Sequence, residues 1–299
     1  MRDVNKLLMR SLMFVPGHNE KFLDSASHSD ADVLLLDIED SVQPNKNKQI
    51  ARTTIKEWVI NKRFGKHLLF PRVNDRESGQ LLKDVYQLTI EGIHGFMYPK
   101  SQQGKDIYFF DKLLETIENE KGVPVGTYKI IPLIETSAAV LHADEICNAS
   151  ERVVAIAFGC EDFVSDLGGI HDKEGQTLFN PRAMIAMAAK ANNVVPIDTV
   201  HINVHDLVDL EKNLIIAKNL GFEGMLVLHP KELPVVHKYF SSTQKEVEDA
   251  KEMLRLYNEA GKMNKGVAVL NGKFIGPPMV INAKKILEKN KLINEKNNK

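Results

Sequence analysis

Two carboxylates that each follow an apolar segment are the strongest chemical signal in the sequence. Glu135 comes directly after a run that would bury it, and Asp162 lies just past the next such run. A carboxylate at the edge of an apolar core carries a desolvation cost unless a cation or hydrogen-bond donors meet it. Two hard oxygen ligands, with water in the remaining positions, suit Mg²⁺. Together the two residues predict a magnesium site, whereas Glu135 alone is explained equally well as a partner for the N-terminus of the following helix.

Arg72 is the candidate for binding a small carboxylate substrate. It lies between Pro71 and Val73 in an apolar segment, where a guanidinium can offer two parallel N–H donors to a carboxylate. A structural ion pair with the acidic residues that follow the preceding apolar segment is an alternative, and the two roles are compatible.

Three acidic residues, Asp37, Glu39 and Asp40, end that preceding segment. Alternation along a strand points Asp37 and Glu39 to one face and Asp40 to the other, so all three cannot bind one ion. We assign Glu39 and Asp40 to the support of metal-bound water. For Asp40, capping of the next helix is nearly as good an interpretation. Lys100 is a candidate for binding a phosphate or carboxylate, although an exposed lysine is the commoner case.

The segments that would position these residues are short and continuously apolar, as strands buried on both faces must be. They alternate with amphipathic helical stretches. This alternation favours a (β/α)8 TIM barrel over an open doubly wound sheet, because it repeats eight times. The predicted strands are residues 12–15, 33–38, 67–73, 95–98, 129–134, 153–158, 199–204 and 224–228. The predicted helices cover residues 47–61, 80–90, 106–120 and 206–220, with another that has Pro181 in its first turn and ends at Ala191.

The pattern changes after the eighth predicted strand. Residues 242–263 predict a polar helix, residues 267–274 a short strand, and a last helix starts from Ala283. We therefore expect a barrel over residues 1–240 and a helical C-terminal extension over residues 241–299 that packs on the barrel or on a neighbouring subunit. Residues 163–179 form a long connection that is a candidate active-site lid.

Composition narrows the class of protein. The 299 residues are 43% hydrophobic and 26% charged, which is ordinary for a globular chain. With 39 basic and 40 acidic residues there is no positive field to attract nucleic acid. No apolar run approaches the roughly 20 residues that span a bilayer, and Cys147 and Cys160 show neither metal spacing nor a disulfide framework. We expect a cytoplasmic protein with reduced thiols and no membrane partner.

The chain resembles the citrate lyase beta subunit family, which includes malyl-CoA and citramalyl-CoA lyases. The resemblance extends from Arg10 to about Leu287. It rests on many motifs that occur in the same order as in the family, rather than on any single motif. The motifs are RSLMFVPG at 10–17, LDIEDSV at 36–42, PRVN at 71–74, IET at 134–136, FGCEDF at 158–163, DLG at 166–168, PIDTV at 196–200, HP at 229–230 and NGKFI at 271–275.

The family resemblance implies an activity and an assembly. The activity is Mg²⁺-dependent cleavage or condensation of a 3-hydroxyacyl thioester, with an oxo acid and an acetyl thioester as products. The thioester would be carried by CoA or by an acyl-carrier protein. The assembly is a homo-oligomer, a trimer or a hexamer, in which the C-terminal segment of one subunit reaches a neighbour's site.

The resemblance also implies roles for individual residues. Glu135 and Asp162 would bind Mg²⁺, and Arg72 would bind the carboxylate of the oxo acid. Glu39 and Asp40 would support metal-bound water. The expected cofactor-binding residues are Arg10 and Lys100.

One position departs from the family pattern. Relatives have an aspartate in the C-terminal motif that exchanges protons with the acetyl carbon, and this chain has Gly276 there. Glycine cannot transfer a proton. Two other functions therefore stay open: an aldolase or thioester hydrolase with altered proton transfer, and a non-catalytic barrel that binds an oxo acid.

Overall fold

Eight parallel strands, separated by helices, form the main sheet of the protein. The structure, a computed structural model, describes residues 7–172, 175–262, 268–270 and 273–297. The order of the strands in the sheet is β3-β2-β1-β8-β7-β6-β5-β4. The strands are β1 (Ser11–Pro16), β2 (Val33–Asp37), β3 (Leu68–Leu69), β4 (Gly95–Tyr98), β5 (Lys129–Ile134), β6 (Ala155–Phe158), β7 (Val195–Asp198) and β8 (Gly224–Val227).

The sheet closes on itself between β3 and β4. The N–H of His94 donates to the carbonyl of Leu69 at 3.0 Å, and that of Met97 donates to Pro71 at 2.9 Å. Beyond the short β3 ladder, Val73 donates to Met97 at 3.2 Å. These bonds join the two ends of the strand order, so the predicted (β/α)8 barrel is confirmed and the open sheet is excluded.

Side chains from the strands fill the barrel interior. Every residue of β2, β4, β6, β7 and β8 is buried, which explains why their sequences are apolar except for Asp37 and Asp198 at the carboxyl ends of β2 and β7. Glycine is required at the N-terminal ends of β4 and β8. A Cβ on Gly95 would collide with the carbonyl oxygen of Lys129, and one on Gly224 would collide with that of Met9.

The helices surround the strands, and glycine ends several of them. Gly122, Gly168 and Gly221 adopt left-handed conformations at the C-terminal ends of their helices, where side chains are disfavoured. The helices of this part of the chain are α1 (Glu20–Ser27), α2 (Lys46–Ile60), α3 (Leu81–Leu88), α4 (Gly104–Lys121), α5 (Ser137–Leu141), α6 (Ala143–Asn148), α7 (Cys160–Leu167), α8 (Gln176–Ala191), α9 (Leu207–Leu220) and α10 (Leu233–Phe240).

The predicted seventh strand is wrong. The strand lies at Val195–Asp198 rather than at residues 199–204, and the N–H of Val195 donates to the carbonyl of Val154 in the neighbouring chain segment at 3.0 Å. Pro196 obscures the strand in the sequence, because proline lacks an N–H and is rare in central strands. Residues 199–206 instead connect β7 to α9.

The position of Pro181 was also predicted wrongly. Helix α8 begins at Gln176, so Pro181 lies inside the helix rather than in its first turn. The carboxylate of Asp172 fixes the early start by accepting from the N–H groups of Gln176 and Thr177, both at 2.8 Å. The predicted lid is correspondingly shorter, since α7 covers its first residues and α8 its last.

The described residues from Lys238 onward belong to a second compact unit, distinct from the barrel unit formed by the described residues between Met9 and His237. It contains α11 (Gln244–Lys262), the antiparallel strands β9 (Ala268–Leu270) and β10 (Lys273–Ile275), and α12 (Pro277–Asn297). Ile275 and Val280 form its core with Met253 and Leu254. Helix α12 begins six residues before the predicted Ala283, at a proline that suits the first helical turn. No helix among the described residues is long and apolar enough to cross a membrane.

Candidate active site

An open cleft of about 1110 Å³ lies at the carboxyl ends of the barrel strands. Three residues singled out in the sequence line it: Lys100 after β4, Glu135 after β5 and Asp162 on α7. Asp162, Ser165 and Asp166 share the face of α7 that lines the cleft. Barrel enzymes carry their active sites at this end of the strands.

Arg72 is bonded to the acidic residues that follow β2. Its Nε and Nη2 atoms each donate to Asp37 at 2.7 Å. Its Nη1 atom lies 3.0 Å from Glu39 Oε2 and 3.4 Å from Asp40 Oδ2. The ion pair that the sequence left open as an alternative is therefore present. A substrate carboxylate would have to approach the remaining Nη1–Nη2 edge, which Glu39 and Asp40 already border.

Asp37 holds the turn after β2 in place. Its carboxylate accepts from the N–H groups of Glu39 at 3.0 Å and Ser41 at 3.1 Å, besides both nitrogens of Arg72. Burial opposes ionisation of Asp37, but the Arg72 guanidinium and the hydrogen bonds from Ser41 and Glu39 together hold its pKa below the usual range. Asp37 and Arg72 therefore form a charged, buried scaffold that fixes Glu39 beside the cleft.

Lys100 contacts two buried carboxylates of the site, Glu39 and Glu135. Its backbone is left-handed, with φ at 54°, which is strained for a residue with a side chain. In this conformation its N–H donates to Glu135 Oε1 at 2.6 Å. Its Nζ lies 2.9 Å from Glu39 Oε1 and 3.4 Å from Asp75 Oδ2. The backbone orients one carboxylate while the ammonium contacts the other.

Glu135 is 2% exposed although it ends a strand beside the cleft. Its Oε1 atom accepts a hydrogen bond from the N–H of Lys100, and within the described part of the chain no hydrogen-bond donor meets Oε2. Gly159 leaves room for this side chain, because a Cβ there would lie 2.9 Å from Glu135 Cβ and 3.1 Å from Oε2. One carboxylate oxygen is thus held and the other is unpaired.

The carboxylates of the site repel each other. Burial, and then the nearby charges of Glu39 and Asp162, raise the pKa of Glu135 to about 8. Burial is also the main cause that raises the pKa of Glu39 to about 7, against the opposing effect of Arg72 and Lys100. A divalent cation between such groups would relieve both the repulsion and the unmet oxygen. The all-oxygen donor set fits a hard ion such as Mg²⁺ rather than a thiophilic one.

Lys48, which sequence analysis overlooked, supports the site from behind. Its buried Nζ donates to the carbonyls of Ile38 and Glu39, each at 3.2 Å, and to the side chain of Asn74. Asn74 is held in turn by Asp84, which accepts from its Nδ2 at 2.6 Å. Lys48 is on a helix far along the chain from Asn74, so no local pattern in the sequence reveals the contact.

Arg10 lies apart from the other predicted site residues. It precedes β1, at the amino ends of the strands and therefore at the opposite end of the barrel from Glu135. Its guanidinium is bonded to Asp32, with Nε to Oδ2 at 2.9 Å and Nη2 to Oδ1 at 2.8 Å. The predicted set is thus brought together except for Arg10. Asp40 takes part only at the exposed edge of Arg72.

A closed parallel barrel with mutually repelling carboxylates at the carboxyl ends of its strands defines an enzyme scaffold built around a cation site. Comparison with known proteins gives the family. Residues 10–230 match the HpcH/HpaI aldolase/citrate lyase family, and the chain belongs to it. The resemblance seen in the motifs is confirmed.

Named relatives cover nearly the whole chain. The citrate lyase subunit beta of Haemophilus influenzae is 32% identical over 95% of this chain and 97% of its own length. The human mitochondrial citramalyl-CoA lyase is 28% identical over 91% of this chain and 82% of its own length. These relatives are lyases, and so is this chain by class.

A solved structure with the same fold is CitE from Mycobacterium tuberculosis in complex with magnesium, acetoacetate and coenzyme A. It superimposes with a TM-score of 0.71 at 23% identity and covers 95% of this chain and 98% of its own. The two chains therefore share the barrel fold over nearly their whole lengths.

Proposed function

We propose that the protein is a Mg²⁺-dependent carbon–carbon lyase that cleaves a 3-hydroxyacyl thioester of the citryl, citramalyl or malyl type. The products would be an oxo acid and an acetyl thioester. The observation that carries this proposal is the buried carboxylate of Glu135, which lies beside two further acids. Lys100 donates to one of its oxygens, and no donor in the described segments meets the other. The magnesium and the thioesters named for the relatives agree with it.

Glu135 and Asp162 would hold the metal, with Glu39 and Asp40 supporting its water ligands. When bound, Mg²⁺ would polarise the carbonyl of the oxo acid and stabilise the charge that develops on its oxygen. Lys100 contributes a second positive charge next to Glu39. Lys100 would also contact the cofactor, whereas Arg10 lies at the other end of the barrel and would not reach it.

Cleavage breaks the bond between the hydroxyl-bearing carbon and the α-carbon of the thioester. The hydroxyl loses its proton, and the bonding electron pair stays on the α-carbon as an enolate, which takes up a proton to give the acetyl thioester. The outer edge of Arg72 would orient the carboxylate of the oxo acid for this step. Its rigid attachment to Asp37 fixes that orientation in advance.

Gly276 favours a second candidate. It lies between β10 and α12 and has no side chain to protonate the α-carbon. A thioester hydrolase would use the same metal and carboxylate contacts and needs no protonation of carbon. An aldolase acting on free oxo acids would use them as well, with a water or another side chain protonating its enolate carbon. A binding barrel without turnover is the third possibility.

A panel of thioesters separates these functions. The purified full chain, with and without Mg²⁺, is given citryl, citramalyl and malyl thioesters, and the release of oxaloacetate, pyruvate or glyoxylate is measured. We expect Mg²⁺-dependent release from one of them, lost in Glu135→Gln and kept in Glu77→Gln, which changes an exposed carboxylate on the rim of the same cleft. Free thiol without oxo acid would identify a hydrolase, and binding without product would identify a sensor.

We further propose that the protein is cytoplasmic and acts as a homo-oligomer, a trimer or a hexamer. Residues 241–299 would form the extension that packs on the barrel or reaches a neighbouring subunit. Light scattering coupled to size exclusion measures the number of subunits, and a monomeric mass at working concentrations would contradict this assignment.

A further inference from the structure

The loop between α7 and α8 brings three metal-binding side chains together outside the cleft. Cys160 and Glu161 begin α7, and His171 lies beyond its C-terminal end. Gly168 ends the helix in a left-handed conformation, and the N–H of Gly169 donates back to the carbonyl of Val164 at 3.1 Å. This reversal brings the chain back, so that His171 reaches the first turn of the same helix.

The ligand atoms of these residues are nearly in position for one ion. His171 Nε2 lies 2.8 Å from Glu161 Oε1, and Cys160 Sγ lies 3.7 Å from the same oxygen. All three atoms fall within 4.8 Å of one another. Around a tetrahedral zinc ion, nitrogen, oxygen and sulfur ligands are about 3.3–3.6 Å apart. Small side-chain rotations would therefore suffice.

We propose that Cys160, Glu161 and His171 form a second metal site that takes a thiophilic divalent cation such as Zn²⁺ or Co²⁺. Sulfur and imidazole ligands favour these ions over Mg²⁺, whereas the cleft offers oxygen alone. Glu161 and His171 are 57% and 35% exposed at their side chains, so solvent can supply the fourth ligand.

The second site is separate from the cleft although its residues are adjacent in sequence to Asp162. The cleft lies along the face of α7 that carries Asp162, Ser165 and Asp166. Cys160 and Glu161 project from other faces of that helix, since successive residues differ by about 100°. The two sites can therefore be tested independently, and this inference does not depend on the proposed lyase activity.

Cobalt spectroscopy on the purified full chain tests the site. Co²⁺ added to reduced, metal-free protein should produce sulfur-to-cobalt charge-transfer absorption that saturates at one ion per chain. Zn²⁺ should then abolish it by displacement. Cys160→Ala and His171→Ala should each lose this absorption, and Glu161→Gln should weaken Co²⁺ binding at least about tenfold.

Two controls define the site. Cys147→Ala changes the other buried free thiol and should keep the absorption. Glu135→Gln should keep it as well, because its carboxylate belongs to the cleft. Circular dichroism melts confirm that each variant is folded. Absence of charge transfer in the wild type, or its persistence in Cys160→Ala or His171→Ala, would overturn the assignment.

Discussion

The two ends of the same barrel treat buried charge in opposite ways. At the amino ends of the strands, Asp32 receives both guanidinium donors of Arg10 as well as the N–H of that residue. At the carboxyl ends, one oxygen of Glu135 meets no donor among the described residues, and the carboxylate shares its surroundings with the like charges of Glu39 and Asp162. The first arrangement is electrostatically complete and stabilises the fold. The second is incomplete, and only a cation or a substrate completes it.

The largest expected effect is on turnover. Glu135→Gln keeps the shape and one oxygen acceptor but removes the charge that a metal needs. We expect kcat for thioester cleavage to fall by at least about a hundredfold. The melting temperature of the metal-free protein should not fall, since the substitution removes a repelled carboxylate. Turnover within about twofold of the wild type would contradict the assignment of Glu135 as a metal ligand.

The reciprocal change at the other end of the barrel should affect stability instead. Asp32→Asn leaves Arg10 buried without its counter-charge, which costs roughly 3–5 kcal/mol. Urea unfolding measures the loss, with Asp24→Asn, an exposed carboxylate, as the control. Activity per folded molecule should be unchanged. A stable Asp32→Asn variant with impaired turnover would contradict the assignment of this end of the barrel to stability rather than to activity.

Magnesium affinity should depend on pH at the cleft. The pKa of Glu135 is about 8 in the metal-free folded protein, compared with 4.5 for an unperturbed glutamate. The folded chain therefore holds a proton on Glu135 that the metal must displace. This group therefore stabilises the metal-free fold most at low pH, and the contribution declines as pH rises from about 4.5 to about 8. Mg²⁺ affinity should rise by up to roughly tenfold per pH unit below about pH 7 and level off above about pH 8.

Calorimetric titration with Mg²⁺ between about pH 6.5 and about pH 8.5 measures this trend. Glu135→Asp, which keeps a carboxylate but withdraws it from the buried position, is the matched comparison. We expect a shallower dependence in that variant. An affinity that is flat with pH in the wild type would show that Glu135 does not exchange its proton for the metal.

The smallest effect is expected behind the cleft. Lys48→Met removes the donors that hold the carbonyls of Ile38 and Glu39 and the side chain of Asn74. We expect kcat to fall by about tenfold while KM for the thioester changes less, because the turn that carries Glu39 loosens. Lys48→Arg should recover part of kcat. If kcat falls only in proportion to the folded fraction, the role of Lys48 is purely structural.

Most of the architecture is encoded locally. Continuous apolar segments predict seven of the eight strands near their observed places, and Glu135 and Asp162 follow two of them. The seventh strand is missed because Pro196 makes a central strand read as a turn. Arg10 could have been set aside from the sequence alone, because it precedes the first predicted strand, whereas the other candidates lie near the carboxyl ends of theirs or beyond them.

The contacts that the sequence hides are those made by distant segments. Lys48 meets Asn74 only in the folded chain, where the start of α2 lies next to the segment that follows β3. Cys160 and His171 are spaced unlike any common metal motif, and a helix with a glycine reversal brings them together. Arg72 could be placed on its strand, but sequence patterns do not show that Asp37 already occupies one edge of its guanidinium.

The junction between β3 and β4 has a consequence for how the protein opens. Among the described residues, this seam is closed by three backbone bonds and by the isolated pairing of Arg72 with Met97. This seam is the part of the barrel with the fewest regular strand bonds, and its residues also carry the guanidinium of the cleft. Ligands that immobilise Arg72 should therefore slow amide hydrogen exchange along the seam. Binding in the cleft would in this way stabilise the closed form of the barrel.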